Sequence, residues 1–213
     1  MSTVFHCNFT QPHQLEHAQW LRKGFEKHGI NLIVTPEVTQ KADIHIVSGP
    51  HYAKDYWKDH PNVILLDRAL YHQEKPEKWH SMDWLSVGWV KNGNRIFKNG
   101  SGRKPPKQKD GHTGAGSIFL ADYEGPVEQA DTIRLHPQRD SNQEQLHDAL
   151  SRHAHAIGYN TTALITAGLE GLKVTCKSKS SIMYQSNWLE LLAYADWNYS
   201  EIESGALWEH LRQ

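Results

Sequence analysis

The chain lacks most features that place a protein in a special class at once. Only two of its 213 residues are cysteine, Cys7 and Cys176. Each ends a predicted strand, so both are expected as free buried thiols, which excludes a disulfide-stapled scaffold and suits a reducing cytosol. No apolar run approaches the length of a membrane helix, so no membrane partner is expected. The opening MSTVFHCNFTQ has no basic segment ahead of a long apolar one, so no secretory signal is expected and the predicted location is cytoplasmic. Neither sign of charge is in excess: 23 Lys and Arg face 24 Asp and Glu, and the net charge of -1 gives no overall pull toward nucleic acid or anionic lipid. There is no P-loop and no serine nucleophile elbow. Gly114-Ala115-Gly116 stands before a strand rather than after one, so it is no dinucleotide fingerprint. With no Asp-x-Asp, and with His13 and His17 sharing a helix face without a third ligand, no metal site is expected and both histidines read as surface residues.

What is present is an alternation of short apolar runs and helical patterns. Thr3 to Cys7, Asn31 to Thr35, Asp43 to Val47 and Asn62 to Leu66 read as strands. Gln14 to His28 has Leu15, Ala18, Leu21 and Phe25 at helical spacing, with Gly29 as its stop, and a second helix is expected over 51–59. Trp79 to Val90 reads as an extended segment or edge hairpin with Asn92-Gly93 as its turn. Lys98 to Gly116, rich in Gly, Pro and Lys, is an exposed linker or loop. Strands then resume at Ser117 to Ala121 and Asp131 to Leu135, followed by a helix over Asn142 to His153. Ser180 to Ala195 and Ser200 to Leu211 read as helices, the latter opened by a Ser200–Glu203 capping box. The expected fold is α/β, with two Rossmann-like parallel-sheet halves facing a cleft: residues 1–99, a basic linker at 100–116, and residues 117–213.

The stretch His155 to Lys177 is the most informative. It reads as a strand at Ala156-Ile157-Gly158, a turn Tyr159-Asn160-Thr161-Thr162, a helix Ala163 to Leu169, and a strand Leu172 to Cys176. Asn and Thr cap helix N-termini, and the free amides there favour an anion such as a diphosphate. Arg134-Leu135-His136-Pro137 and Arg139 place donor groups at a second strand's carboxyl end, the side on which open parallel sheets bind ligands. Arg grips a diphosphate with a two-pronged fork.

The order Arg-x-His-Pro, helix, Asn-Thr-Thr turn, helix, Glu-Gly-Leu-Lys-Val strand resembles the nucleotide-sugar half of GT-B glycosyltransferases, closest to the capsule-polysaccharide type. The likeness covers Asp131 to Cys176. It departs from the family pattern at Gly168-Leu169 and Gly171 around Glu170, and at Lys173, where Pro is usual. The resemblance implies that Asn160, Thr161 and Thr162 face the donor phosphates, that His136 contacts the donor, and that Glu170 bonds a ribose hydroxyl. It implies no cofactor beyond a nucleotide-sugar substrate. The run Trp188 to Leu211 resembles the tail of small phage-encoded proteins, which implies the cytoplasm of a bacterial host and a hydroxymethylated base in DNA as one acceptor, a saccharide hydroxyl being the other.

Such a transfer needs a general base on the acceptor side. Asp67 is the first candidate because it ends a strand, with Arg68 beside it to keep it ionised; Asp83 and His72 stand in reserve. Arg103, Lys104, Lys107 and Lys109 are the expected nucleic-acid contacts in the basic loop. The sequence reading is therefore a metal-independent glycosyltransferase. The alternative is a non-catalytic nucleotide-binding or interaction module of the same fold.

Overall fold

A computed structural model describes residues 2–38, 41–49, 60–71, 83–91 and 94–213. The chain divides into two compact units, Met1–Arg103 with Ala193–Gln213, and Lys104–Leu192. The helix expected over 51–59, His72 and the Asn92-Gly93 turn lie outside the described residues.

The first unit opens with β1 (Thr3–His6), α1 (Pro12–Glu26), β2 (Leu32–Thr35), β3 (Ile44–Ser48) and β4 (Val63–Arg68). These strands pair in parallel in the order β2-β1-β3-β4. Continuous burial along β1 and β3 is what apolar runs acquire when both faces of a parallel sheet are covered. α1 starts with Pro12 in its first turn, where the missing N–H costs nothing. Its inner face is Gln14, His17, Ala18, Leu21 and Phe25; Leu15, expected inside, is exposed, and His17, expected at the surface, is only 4% exposed. β5 (Trp84–Lys91) and β6 (Asn94–Ile96) form an antiparallel pair. β5 is no edge: one side pairs with β4 and the other with β6 and with a strand from the chain's end.

The second unit holds β7 (Ser117–Leu120), β8 (Thr132–Arg134), α2 (Leu146–Ser151), β9 (His155–Gly158), α3 (Ala163–Leu169), β10 (Lys173–Cys176), a 3-10 turn at Ile182–Tyr184 and α4 (Trp188–Leu192). All four strands are parallel, in the order β10-β9-β7-β8. Read from first to fourth, both units therefore share the strand order 2-1-3-4. α2 is shorter than expected because Gln143 leaves the helix: its Oε1 accepts from Leu135 N at 2.8 Å and its Nε2 donates to Leu135 O at 3.0 Å. The helix expected from Ser180 to Ala195 is broken into the 3-10 turn and α4.

Ala193–Gln213, assigned by sequence to the second half, returns to the first unit. β11 (Asp196–Asn198) pairs antiparallel with β5, and α5 (Tyr199–Glu203) and α6 (Ala206–Leu211) bury Ile202, Leu207, Trp208 and Leu211 in that core. The capping box here is Asn198 with Glu201, not Ser200 with Glu203: Asn198 Oδ1 accepts from Glu201 N at 2.9 Å and Glu201 Oε2 from Asn198 N at 3.0 Å. Gly205 (φ 90°) separates the two helices. α1 touches α5 through Gly24, where a Cβ would come within 2.0 Å of Ile202 O. Gly24→Ala is expected to cost about 1–3 kcal/mol of stability by forcing the helices apart, and urea unfolding reads it. A loss below about 0.5 kcal/mol, the range of neutral surface changes, would show that the helices separate freely. Among the described residues no helix is long and apolar enough to cross a membrane.

Candidate functional site

In the second unit the chain leaves β7 toward β8 on one side, and β9 lies on the other. The crevice of such a sheet opens at the carboxyl ends of these two central strands, where the strand order reverses. Asp122 and Tyr123 follow β7, His136 and Arg139 follow β8, Tyr159 and Asn160 follow β9, and Lys177 follows β10. Arg134, His136, Arg139, Asn160, Thr161 and Thr162, all singled out from sequence, thus share one edge of one sheet.

Their contacts define what each can do. Asp122 Oδ2 accepts from the Asn160 amide at 3.1 Å, and Asp122 O from Arg139 Nη1 at 3.4 Å. Burial pushes the Asp122 carboxyl up from its ordinary pKa, against the Asn160 amide and His136, which favour its charge. His136 Nδ1 accepts from Gln138 N at 3.2 Å, so the neutral ring carries its proton on Nε2. Its ring meets Tyr123 edge-on, centroids 5.6 Å apart. Arg134 Nη1 donates to Glu144 O at 2.6 Å. At the start of α3 the Thr162 side chain makes no capping bond, contrary to expectation. Thr161 Oγ1 instead accepts from Ala163 N at 3.3 Å.

The loop joining β7 to β8 is fastened down by Glu128, which accepts from the Tyr159 hydroxyl and pairs with Lys177. Lys177 and then Tyr159 hold the Glu128 carboxyl below its ordinary pKa. Sequence reasoning missed Asp122, Tyr123, Glu128 and Tyr159. The signal for the first two was present: an Asp-Tyr pair directly after the apolar strand Ser117 to Ala121.

Glu170 is not brought to this edge. It ends α3, and a seven-residue helix carries the chain about 10 Å back toward the amino end of β10. There Lys109 Nζ donates to its Oε2 at 2.7 Å, and His147 Nδ1 lies 3.6 Å from its Oε1.

In the first unit, Asp67 is the next-to-last residue of β4 and sits in a cross-strand row with Ser86 of β5 and Asp196 of β11. Asp67 Oδ1 accepts from Arg68 N at 2.8 Å, and Arg95 Nη1 lies 3.6 Å from Oδ2, so Arg95 brings a second cation that sequence reasoning did not foresee. Asp196, 1% exposed, accepts from Leu70 N at 2.8 Å and Tyr71 N at 3.0 Å, anchoring the chain that leaves β4. Ser86 Oγ is buried with no hydrogen-bond partner among the described residues. Asp83 precedes β5 at the sheet end where β4 finishes; its carbonyl accepts from Tyr199 N at 3.0 Å.

The basic loop is divided. Arg103 lies over the Trp197 ring, 3.9 Å from its centroid, and donates to Ala193 O at 3.0 Å and Asp196 O at 2.9 Å. It is also ion-paired with Glu201 at 2.5 Å. Lys109 is paired with Glu170, whereas Lys104 and Lys107 are exposed. Among the described residues no three His, Cys, Asp or Glu side chains are grouped to hold a metal ion. No known family model, no curated protein and no solved structure matches this chain.

Proposed function

We propose that the chain is a metal-independent glycosyltransferase whose second unit binds the nucleotide-sugar donor at the carboxyl edge of its parallel sheet. The observation that carries the reading is the convergence of Arg139, His136 and the turn Asn160–Thr162 beside the crevice between β7 and β9. Cationic and N–H donors stand where charge builds on a departing nucleoside diphosphate, and such donors lower the barrier when they are held in place beforehand. Asp67, near the carboxyl end of β4 with Arg68 and Arg95 beside it, is the base for an acceptor hydroxyl. The acceptor is a saccharide hydroxyl or a hydroxymethylated base in DNA. With Arg103 and Lys109 engaged within the protein, Lys104 and Lys107 are the loop cations left to meet a phosphate backbone.

The test is a thermal-shift series with UDP, CDP, ADP and GDP and their sugar conjugates. A ligand held by the native state alone raises the melting temperature, by about 2.7 kcal/mol of stability at a hundredfold excess over Kd. Asp67→Asn is expected to keep that shift and to lower sugar transfer by about 100-fold or more. No shift with any nucleotide ends the reading. A shift with no turnover in the native chain selects the non-catalytic binding module.

A further inference from the structure

Asp122 and Tyr123 are the first two residues past Ala121 at the end of the central strand β7, and they bring unlike chemistry to one point. The Asp122 carboxylate faces the Asn160 amide across the switch point. Tyr123 is 53% exposed although its ring is held edge-on by His136. A carboxylate at the mouth of this crevice repels phosphate and accepts from O–H or N–H groups. An exposed aromatic ring braced by a neighbour offers a surface for stacking. The loop that carries both is held at its far end by Glu128 on Tyr159 and Lys177, so the pair is presented on a fastened segment.

We propose that Asp122 and Tyr123 form the nucleoside subsite of the donor pocket, with Asp122 accepting from the ribose diol and Tyr123 stacking on the base. The inference rests on the nucleotide-binding reading of this edge. It divides the edge into two: the ribose and base meet the β7 end, and the phosphates lie toward His136, Arg139 and the amides of Thr161 and Thr162. Asp122 takes the Asn160 amide, so that N–H is part of the nucleoside subsite's frame rather than a phosphate donor. The chain therefore selects a ribonucleotide over its 2′-deoxy counterpart, because removing one hydroxyl leaves a charged acceptor without its partner.

The experiment titrates UDP, CDP, ADP and GDP, their 2′-deoxy forms, and inorganic pyrophosphate by calorimetry into the native protein and two variants. The native protein is expected to prefer ribonucleotides by about tenfold. Tyr123→Ala is expected to weaken nucleotide binding by about tenfold or more and to leave pyrophosphate binding unchanged. Asp122→Asn is expected to erase most of the ribose preference and, with the repelling charge gone, to leave pyrophosphate binding no weaker than in the native chain. Tyr123→Phe, which keeps the ring face, is expected to bind as the native chain does. Melting curves of each variant without ligand confirm folding, and Tyr123, being exposed, leaves the core untouched. If Asp122→Asn keeps the full ribose preference, the carboxylate does not meet the ribose and the proposal falls. It falls also if the native protein binds nucleotides and Tyr123→Ala binds them equally well, in which case the broader nucleotide reading stands. If the native protein binds none of these ligands, the broader reading falls and the subsite falls with it.

Discussion

Arg103→Ala is expected to lower the stability of the first unit by about 2–4 kcal/mol, because one guanidinium holds the returning C-terminal segment by four different contacts. It donates to the carbonyls of Ala193 and Asp196, pairs with Glu201, and covers the face of Trp197. Its backbone N–H adds a bond to the Tyr194 hydroxyl at 2.9 Å. Truncation leaves two carbonyls and a carboxylate without their donor, and a partly buried group left unpaired costs about 1–3 kcal/mol. The lost cation–aromatic contact adds about 1 kcal/mol. Arg103→Lys is expected to recover less than half of the loss, because an ammonium cannot lie flat on Trp197 while reaching three acceptors in one plane. Thermal unfolding followed by tryptophan fluorescence reads this directly, with Trp197 and Trp208 both in the affected core. At about 2–4 °C per kcal/mol, the alanine variant should melt on the order of 10 °C lower. A variant that melts with the native chain would return Arg103 to the basic loop as a solvated charge.

Arg103 also shows where the sequence is mute. Its neighbours Lys104, Lys107 and Lys109 make it look like one charge in a solvated run. Its partners lie 90 and more residues away, on and beside a strand of three residues whose pattern is too short to announce a sheet. The same short strand carries Ala193–Gln213 back to the first unit, so the assignment of that segment failed for the same reason. By contrast, β1, β3, β4, β7, β9 and β10 were legible, because each is an apolar run bounded by polar or glycine residues. Their order was not: nothing local says that β7 ends up central. That placement gives Asp122 and Tyr123 their significance. The strand-end positions of His136 and Asn160–Thr162 were legible because these residues follow strands directly. Glu170 was misplaced because a motif spacing does not reveal that a helix of seven residues takes its two ends to opposite edges of the sheet.

The first unit is expected to lose stability as the pH falls below 7, before its carboxylates begin to titrate. Four histidines are buried there: His6 and His45 at 0% exposure, His17 at 4% and His210 at 7%. His6 Nδ1 lies 2.9 Å from Glu37 O, which can only accept, so that nitrogen carries the proton. Its Nε2 then accepts from His45 Nδ1 at 2.7 Å, and a proton added to His6 would set two N–H groups against each other. Burial lowers the pKa of all four below the ordinary 6.5, His45 to about 4 and His17 to about 3, with His60 a further cause at His45, His13 at His17, and Arg103 and Lys98 at His210. The sign follows from linkage. Above pH 6.5 neither state binds the proton and stability is at its full value. As the pH falls through 6.5 the unfolded chain takes up protons that the native state refuses. Each such histidine then costs about 1.4 kcal/mol per pH unit until its native pKa is reached. Asp43 of this unit, held below its ordinary value by hydrogen bonds from Ser2, adds its own loss only in more acid solution. Between pH 7 and 4.5 His17 and His45 alone should therefore remove on the order of 5 kcal/mol, read from urea midpoints at several pH values. His17→Leu keeps an apolar side chain beside Trp20 and removes one proton from the balance. Its stability should fall with pH less steeply by about 1.4 kcal/mol per unit below pH 6, and a slope equal to that of the native chain would mean that His17 is protonated in the folded state.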